Sequence, residues 1–284
     1  MLSSSQVQSR AVRMRRHALR MVHAANASHV GAGFSIADLL AVLYGGVLRV
    51  DPRNPRDPNR DRLILSKGHA AATLYAALEG AGFLTVADLE SYGQDGAILA
   101  GHVSHHVPGV EFSTGSLGHG LPLGCGVALA GRSASPDLPP THRAFVVMGD
   151  GEQDEGSVWE AALFAAHHRL DNLIALVDRN RLQGLGDTEA VLKLEPLADK
   201  WRAFGWAVAE ADGHDIPRMQ SLLSRLPLAP GQPSVIILHT VKGKGVSFME
   251  RTVAWHYRSP NAEQLAQALD EVGQGHSSGP EEAP

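Results

Sequence analysis

Two segments of the chain, Ala144–Met148 and Leu173–Val177, are continuously apolar, which is the pattern of strands buried on both faces. Between them, alanine-rich sequence runs to His168 behind Ser157-x-x-Glu160, the spacing at which a serine hydroxyl and a glutamate satisfy two unpaired amides at a helix start. Strand, helix and strand within about 35 residues make a βαβ unit. Arg62–Leu65, Trp206–Glu210 and Val235–His239 read as further strands, which predicts an α/β fold with a mainly parallel sheet and helices on both faces. In Ser9–His23, Val12, Leu19 and Val22 lie on one side and arginines on the other, predicting an amphipathic helix with a solvated basic face. Helices are also expected over Ile36–Leu48 and Ala70–Glu79. Asp51–Asp61, with its three prolines, is a surface loop. Gly93–Gly120 follows neither period, and an irregular stretch of that length in a compact chain points to function. From Gly273 onward Gly, Ser, Pro and Glu dominate, so residues 273–284 are expected to form a disordered tail behind one domain spanning 1–272.

Composition narrows the class. The 284 residues are 44% apolar and carry a formal charge of -5, enough apolar material for a substantial core. Basic residues gather only near the start, so nucleic acid is not expected as a partner. No apolar run approaches the roughly 20 residues of a membrane span, and no secretory apolar region opens the chain; no membrane association is expected, and a cytoplasmic location is. The single cysteine, Cys125, sits among small residues as a packing residue. Thirty glycines and fifteen histidines beside only 5% aromatics are the materials of a phosphate site.

Parallel strands joined in a βαβ unit end at the same sheet edge about 5 Å apart. Asp150, inside Gly149-Asp150-Gly151, and Asn180 follow those two ends. They can reach one ion, with a backbone carbonyl such as that of Leu182 as a third oxygen. One carboxylate, one amide and one carbonyl form a hard, incomplete shell suited to Mg2+ or Ca2+ whose other ligands are phosphate oxygens and water. The glycines admit close backbone approach, and the following helix start favours an anion. Taken alone, Gly-Asp-Gly is as readily a tight turn. With an asparagine some 30 residues on, behind a second strand, it resembles the metal-diphosphate motif of thiamine diphosphate enzymes.

Further stretches, in order, resemble the diphosphate-binding half of transketolase: Ser28-His29-Val30-Gly31, Ser66-Lys67-Gly68-His69-Ala70, Gly101-His102, Ser113 to Leu121 (STGSLGHGL), Asp212-Gly213-His214-Asp215 and Lys242-Gly243-Lys244-Gly245. The resemblance covers residues 9 to about 268 and implies a three-layer thiamine diphosphate-binding fold with thiamine diphosphate and Mg2+ (or Ca2+) as cofactors. It implies Asp150, Asn180 and the Leu182 carbonyl as metal ligands. It also implies Gly151, Asn180, Gly115, Ser116, Leu117, His69 and His256 as cofactor contacts, and Glu155 in a carboxylate network between two cofactor sites. His29, His69, His102 and His256 become the catalytic histidines. Chemistry supplies an independent reason, because cleaving a C–C bond beside a ketose carbonyl needs proton traffic near neutrality. His17, His23, His105, His106, His142, His167, His168 and His276 are read as structural or solvent-facing. Val30 and Val103 stand where the family frequently has proline, and His119 where glutamine is common, departures that bear on the sugar pocket.

No segment resembles the family's pyrimidine-binding domain. The resemblance therefore implies the N-terminal subunit of a split transketolase that transfers a two-carbon ketol unit from a ketose to an aldose. A C-terminal, pyrimidine-binding partner subunit would supply a catalytic glutamate, in an α2β2 assembly. Two other readings stay open: a related thiamine diphosphate enzyme of a specialised pathway, and a non-catalytic binding subunit. Gly31-Ala32-Gly33 fails the dinucleotide fingerprint. Lys242–Gly245 lacks the hydroxyl residue of a phosphate-binding P-loop, so it is a cofactor-side loop or a mobile turn.

Overall fold

In a computed structural model that describes residues 1–132 and 140–274, five parallel strands form one sheet. They are β1 (Arg62–Leu65), β2 (Ala144–Gly149), β3 (Leu173–Arg179), β6 (Ala207–Asp212) and β7 (Ser234–His239), in the order β1-β2-β3-β7-β6. A two-residue hairpin, β4 (Leu182–Gln183) with β5 (Gly186–Asp187), stands apart. The central strands are apolar throughout because both faces are covered. Leu63, Phe145, Val147, Ile174, Leu176 and Ile236 point into one core; Ile64, Val146, Ala175, Val177 and Ile237 point into the other. This alternation follows from the two-residue period of a strand.

The first core is closed by α1 (Ser4–Ala24), α2 (Val30–Phe34), α3 (Ala37–Val42), α4 (Ala71–Gly80), α5 (Val86–Glu90), α10 (Ile216–Leu223) and α11 (Ala262–Gln274). The second is closed by α6 (Gly120–Ala130), α7 (Gly156–His167) and α9 (Leu197–Ala203). A short α8 (Thr188–Val191) follows β5. The expected three-layer α/β architecture is observed. Cys125 is buried on α6, where its surroundings push the thiol up to about 12.

Four local expectations change. The helix expected over Ile36–Leu48 stops at Val42 and passes into a wide turn, Leu43–Val47, in which Gly46 takes a φ of +121° that a helix excludes. Ser157 does not cap α7: Glu155 is the N-cap residue, and the Ser157 hydroxyl donates instead to the Gly118 carbonyl at 2.7 Å. The basic face of α1 is not wholly solvated, since Arg15 is buried and grips both carboxylate oxygens of Asp38. Finally, α11 continues through Gly273 to Gln274; the rest of the expected tail, with His276, lies outside the described residues.

Because all five strands are parallel, their C-terminal ends open onto one edge. The segments after β1, β2, β3 and β7 leave there, carrying Lys67, Asp150, Asn180 and Lys242.

Candidate active site

Gly149 pairs with Asp178 across β2 and β3, so Asp150 and Asn180 emerge side by side. The buried Asp150 carboxylate is already oriented: Oδ1 accepts from the Gly151 amide at 2.9 Å, and Oδ2 from the Arg181 amide at 2.5 Å and Arg179 Nη1 at 3.3 Å. Burial and the nearby Asp178 charge push its pKa up to about 6. Asn180 is fixed at both ends. Its Nδ2 donates to Asp178 at 2.9 Å and its Oδ1 accepts from the Leu182 amide at 3.0 Å. Leu182 lines the same cavity, and its carbonyl accepts from Lys242 Nζ at 3.0 Å. These three donors are all oxygen and carry a single charge, which fits a hard divalent cation that shares its shell with a diphosphate. At Gly151 a Cβ would lie 2.9 Å from the Gln183 Cβ, so a side chain would displace β4.

The cradle beside them is stitched by a residue that the sequence pattern does not single out. The buried Glu152 carboxylate accepts from Ser66 Oγ, from the Gly118 amide at 2.8 Å and from the Gly149 amide at 3.2 Å. Ser66 Oγ in turn accepts from the Gly120 amide at 2.9 Å. Three loops are thereby tied together, including the end of the irregular 93–120 stretch. Gly115 and Leu117 line the cavity, of about 260 Å³. Ser116 is exposed and is not among its walls; His119 is also exposed, its Nδ1 near the carbonyls of Ser116 and Leu117. Glu155 lies outside the cavity, exposed at the start of α7.

The four histidines singled out from the sequence converge. Ring centroids lie 5.2 Å apart for His29–His69, 5.5 Å for His29–His102, 5.0 Å for His29–His256 and 5.7 Å for His69–His256. His29 holds a left-handed backbone, φ +72°, that L-residues seldom adopt. Its amide donates to the His256 carbonyl at 3.0 Å, joining two segments distant in sequence. A strained non-glycine residue at a cavity wall is a common mark of a functional position.

Electrostatics keep three of these rings, His29, His69 and His256, neutral. Burial, then the proximity of His102 and the charges of Lys242 and Lys67, lowers His29 to about 4. Burial and Lys242 lower His256 to about 3, and burial with Lys67 takes His69 well below the ordinary value. Lys242 itself is lowered to about 8 by burial and Lys67. Its Nζ lies 2.8 Å from His256 Nδ1; an ammonium only donates, so Nδ1 accepts and the ring proton sits on Nε2. Lys67 is paired with Asp178 and donates to the Ala32 carbonyl at 3.0 Å.

Lys67, Lys242, Glu152 and Asp178 are the site residues that sequence reasoning missed. Lys67 stood inside the SKGHA stretch, and the cofactor-side alternative for Lys242–Gly245 pointed at the second. Two of the histidines read as structural are engaged elsewhere: His23 Nδ1 lies 2.7 Å from the Pro260 carbonyl, and His142 Nε2 3.0 Å from that of Val127.

A parallel α/β sheet that gathers oxygen donors, glycine-lined loops and clustered histidines at its strand ends has the architecture of a thiamine diphosphate-binding fold. Residues 7–278 match the family described as transketolase, thiamine diphosphate binding domain. The chain is 42% identical over 260 residues to one of the subunits of an apulose-4-phosphate transketolase from Phocaeicola vulgatus, covering 92% of this chain and 91% of that one. It is 44% identical over 245 residues to a 6-deoxy-6-sulfo-D-fructose transketolase subunit from Clostridium sp., covering 86% and 88%. Its fold is similar to that of transketolase from Leishmania mexicana, with a TM-score of 0.88 at 30% identity, over 96% of this chain but 42% of that one. The chain belongs to the transketolase family of ketol-transferring enzymes and is of the N-terminal, diphosphate-binding subunit kind.

Proposed function

We propose that the chain works in the cytoplasm as the N-terminal subunit of a two-chain transketolase. It holds the diphosphate of thiamine diphosphate and a divalent cation, Mg2+ or Ca2+, and transfers a two-carbon ketol unit from a ketose to an aldose in α2β2 assembly with a pyrimidine-binding partner subunit. The observation that carries this reading is the convergence of His29, His69, His102 and His256 beside Asp150 and Asn180 on one cavity. Asp150, Asn180 and the Leu182 carbonyl give a cation three oxygen ligands and leave its remaining positions to diphosphate and water. Among the described residues, no helix is long and apolar enough to cross a membrane.

When bound, thiamine diphosphate supplies the nucleophilic carbon and the electron sink for breaking a C–C bond beside a ketone. The chain's residues do the rest. Asp150, Asn180 and the Leu182 carbonyl bind the cation; Gly151, Gly115 and Leu117 admit the cofactor closely, and Ser116 adds a rim contact. His256, its proton on Nε2, donates toward the reacting oxygens, and His29 and His102 meet donor hydroxyls. Neutral rings both accept and donate a proton, as ketol cleavage and transfer require. His69 and His256 also contact the cofactor. Glu155, exposed beside α7, faces the partner subunit, whose glutamate activates the pyrimidine.

The test is to isolate the chain from its own host and identify what accompanies it, then assay ketol transfer. A stoichiometric second chain, bound thiamine diphosphate and transfer only by the complex are expected. Turnover by this chain alone with thiamine diphosphate and Mg2+ would overturn the two-chain reading.

A further inference from the structure

Arg179 lies outside the chemistry just described, yet its side chain is 0% exposed and every one of its five N–H groups is used. One bond goes to Asp150 Oδ2 at 3.3 Å. The other four go to the segment after β5: Thr188 Oγ1 at 2.6 Å, Glu189 Oε1 at 2.6 Å, and Glu195 Oε1 at 2.9 Å from Nη2 and 3.2 Å from Nε. The two glutamates are themselves held by backbone amides. Glu189 accepts from the amides of Leu194 and Glu195, each at 3.3 Å, and Glu195 Oε2 from that of Leu197 at 2.9 Å. The guanidinium is thus clamped on its far side and touches the site at one atom.

We infer that Arg179 is a positioning residue for the divalent cation, presetting the Asp150 carboxylate through a clamp built by Thr188, Glu189 and Glu195. The inference rests on the reading of Asp150 as a cation ligand. Three features support it. Among the described residues Asp150 has no side-chain hydrogen-bond partner other than Arg179, its remaining bonds being to the amides of Gly151 and Arg181. A carboxylate held in one rotation loses less freedom when an ion binds, which is how groups behind a metal ligand raise affinity. A bare guanidinium beside a cation would repel it, but here one positive charge faces Asp150, Glu189 and Glu195 together, so the clamp leaves the neighbourhood negative. Glu189 and Glu195 thereby influence the cation without being among the proposed ligands.

The experiment is a calorimetric titration of Mg2+ into the metal-free two-chain complex at saturating thiamine diphosphate, with thermal melting of each protein recorded alongside. The proteins are the wild type, Arg179→Met, Arg179→Lys and Glu195→Gln. Arg179→Met is expected to raise the half-saturating Mg2+ concentration about tenfold or more, the usual range for losing a group behind a ligand. Lysine restores part of it, and Glu195→Gln moves it the same way by about threefold, because two of the five guanidinium bonds lose their charged acceptor. If Arg179→Met does not fold, the other two variants carry the test, compared at temperatures where each is fully folded. Wild type that binds Mg2+ while all folded variants match it overturns the inference alone. Wild type that takes up neither Mg2+ nor thiamine diphosphate overturns the cation site, and the inference with it.

Discussion

Asp178 and Asp150 sit at the ends of adjacent strands, both buried, and their surroundings differ completely. Asp178 is closed: Lys67, Ser35 and Asn180 donate to Oδ2 and Thr240 to Oδ1. Burial alone would raise its pKa, but the Lys67 charge and these hydrogen bonds bring it below the ordinary value. Asp150 is open. Two amides and one guanidinium reach it, and burial together with the charge of Asp178 raises it to about 6. A saturated carboxylate has its countercharge within the protein and serves the fold. One that is buried, oriented and shares its single guanidinium with Glu189 and Glu195 is short of countercharge, which a cation would supply.

The contrast breaks first at Lys67. Replacing it with methionine strands the Asp178 carboxylate in the core, and removing one member of a buried pair costs about 3–5 kcal/mol. Urea melts should show that loss, with the cofactor site failing as a consequence; a variant as stable as the wild type would mean that Asp178 is not closed in the sense argued. Asp150→Ala should do the reverse. It removes a carboxylate whose neighbour repels it and leaves Arg179 paired with Glu189 and Glu195, so the melt should stay within about 1 kcal/mol. Retention of cofactor in the presence of Mg2+ should fall more than about 100-fold, beyond the cost of losing a group behind the ligand. Equilibrium dialysis with thiamine diphosphate reads this directly.

Much of this is legible in the sequence. Continuous apolar runs identify β2 and β3, and the strand-helix-strand spacing brings Asp150 and Asn180 to one edge, because parallel pairing admits no other arrangement. The His29, His69, His102 and His256 cluster comes from the family resemblance and not from periodicity, since the elements carrying those residues are short turns and loops. Buried charge is the blind spot. Lys67 and Asp178 are 111 positions apart, and nothing local distinguishes an inward lysine from a solvated one; only the tertiary partner decides. Arg15 is misread for the same reason, its partner Asp38 lying on another helix. Ser157 shows a different limit. Its spacing to Glu160 satisfies the capping pattern, but the neighbouring Gly118 carbonyl offers the hydroxyl a bond that local sequence does not reveal.

The smallest effect concerns acid, and it separates the open side from the closed one by titration. His29 is lowered to about 4 and His256 to about 3, with His69 also well below its ordinary value. A histidine whose folded pKa is depressed contributes stability that is full above the unfolded value of about 6.5 and is lost as pH falls toward the folded value. Asp150 runs the other way: its folded pKa is raised, so without cation its contribution falls as pH rises through about 6. The three histidines outnumber Asp150 and Glu152, whose pKa burial also raises, and the cofactor-free chain should lose stability steadily from about pH 6.5 to 4, before the closed Asp178 cluster takes up a proton. His256→Asn removes one of those three groups without touching Asp178. Its melting midpoint should therefore fall less steeply over the same interval, while the Lys67–Asp178 pair remains intact. Parallel curves for the two proteins would show that the neutral state of His256 is not maintained by its surroundings, and that the open side is not where acid acts first.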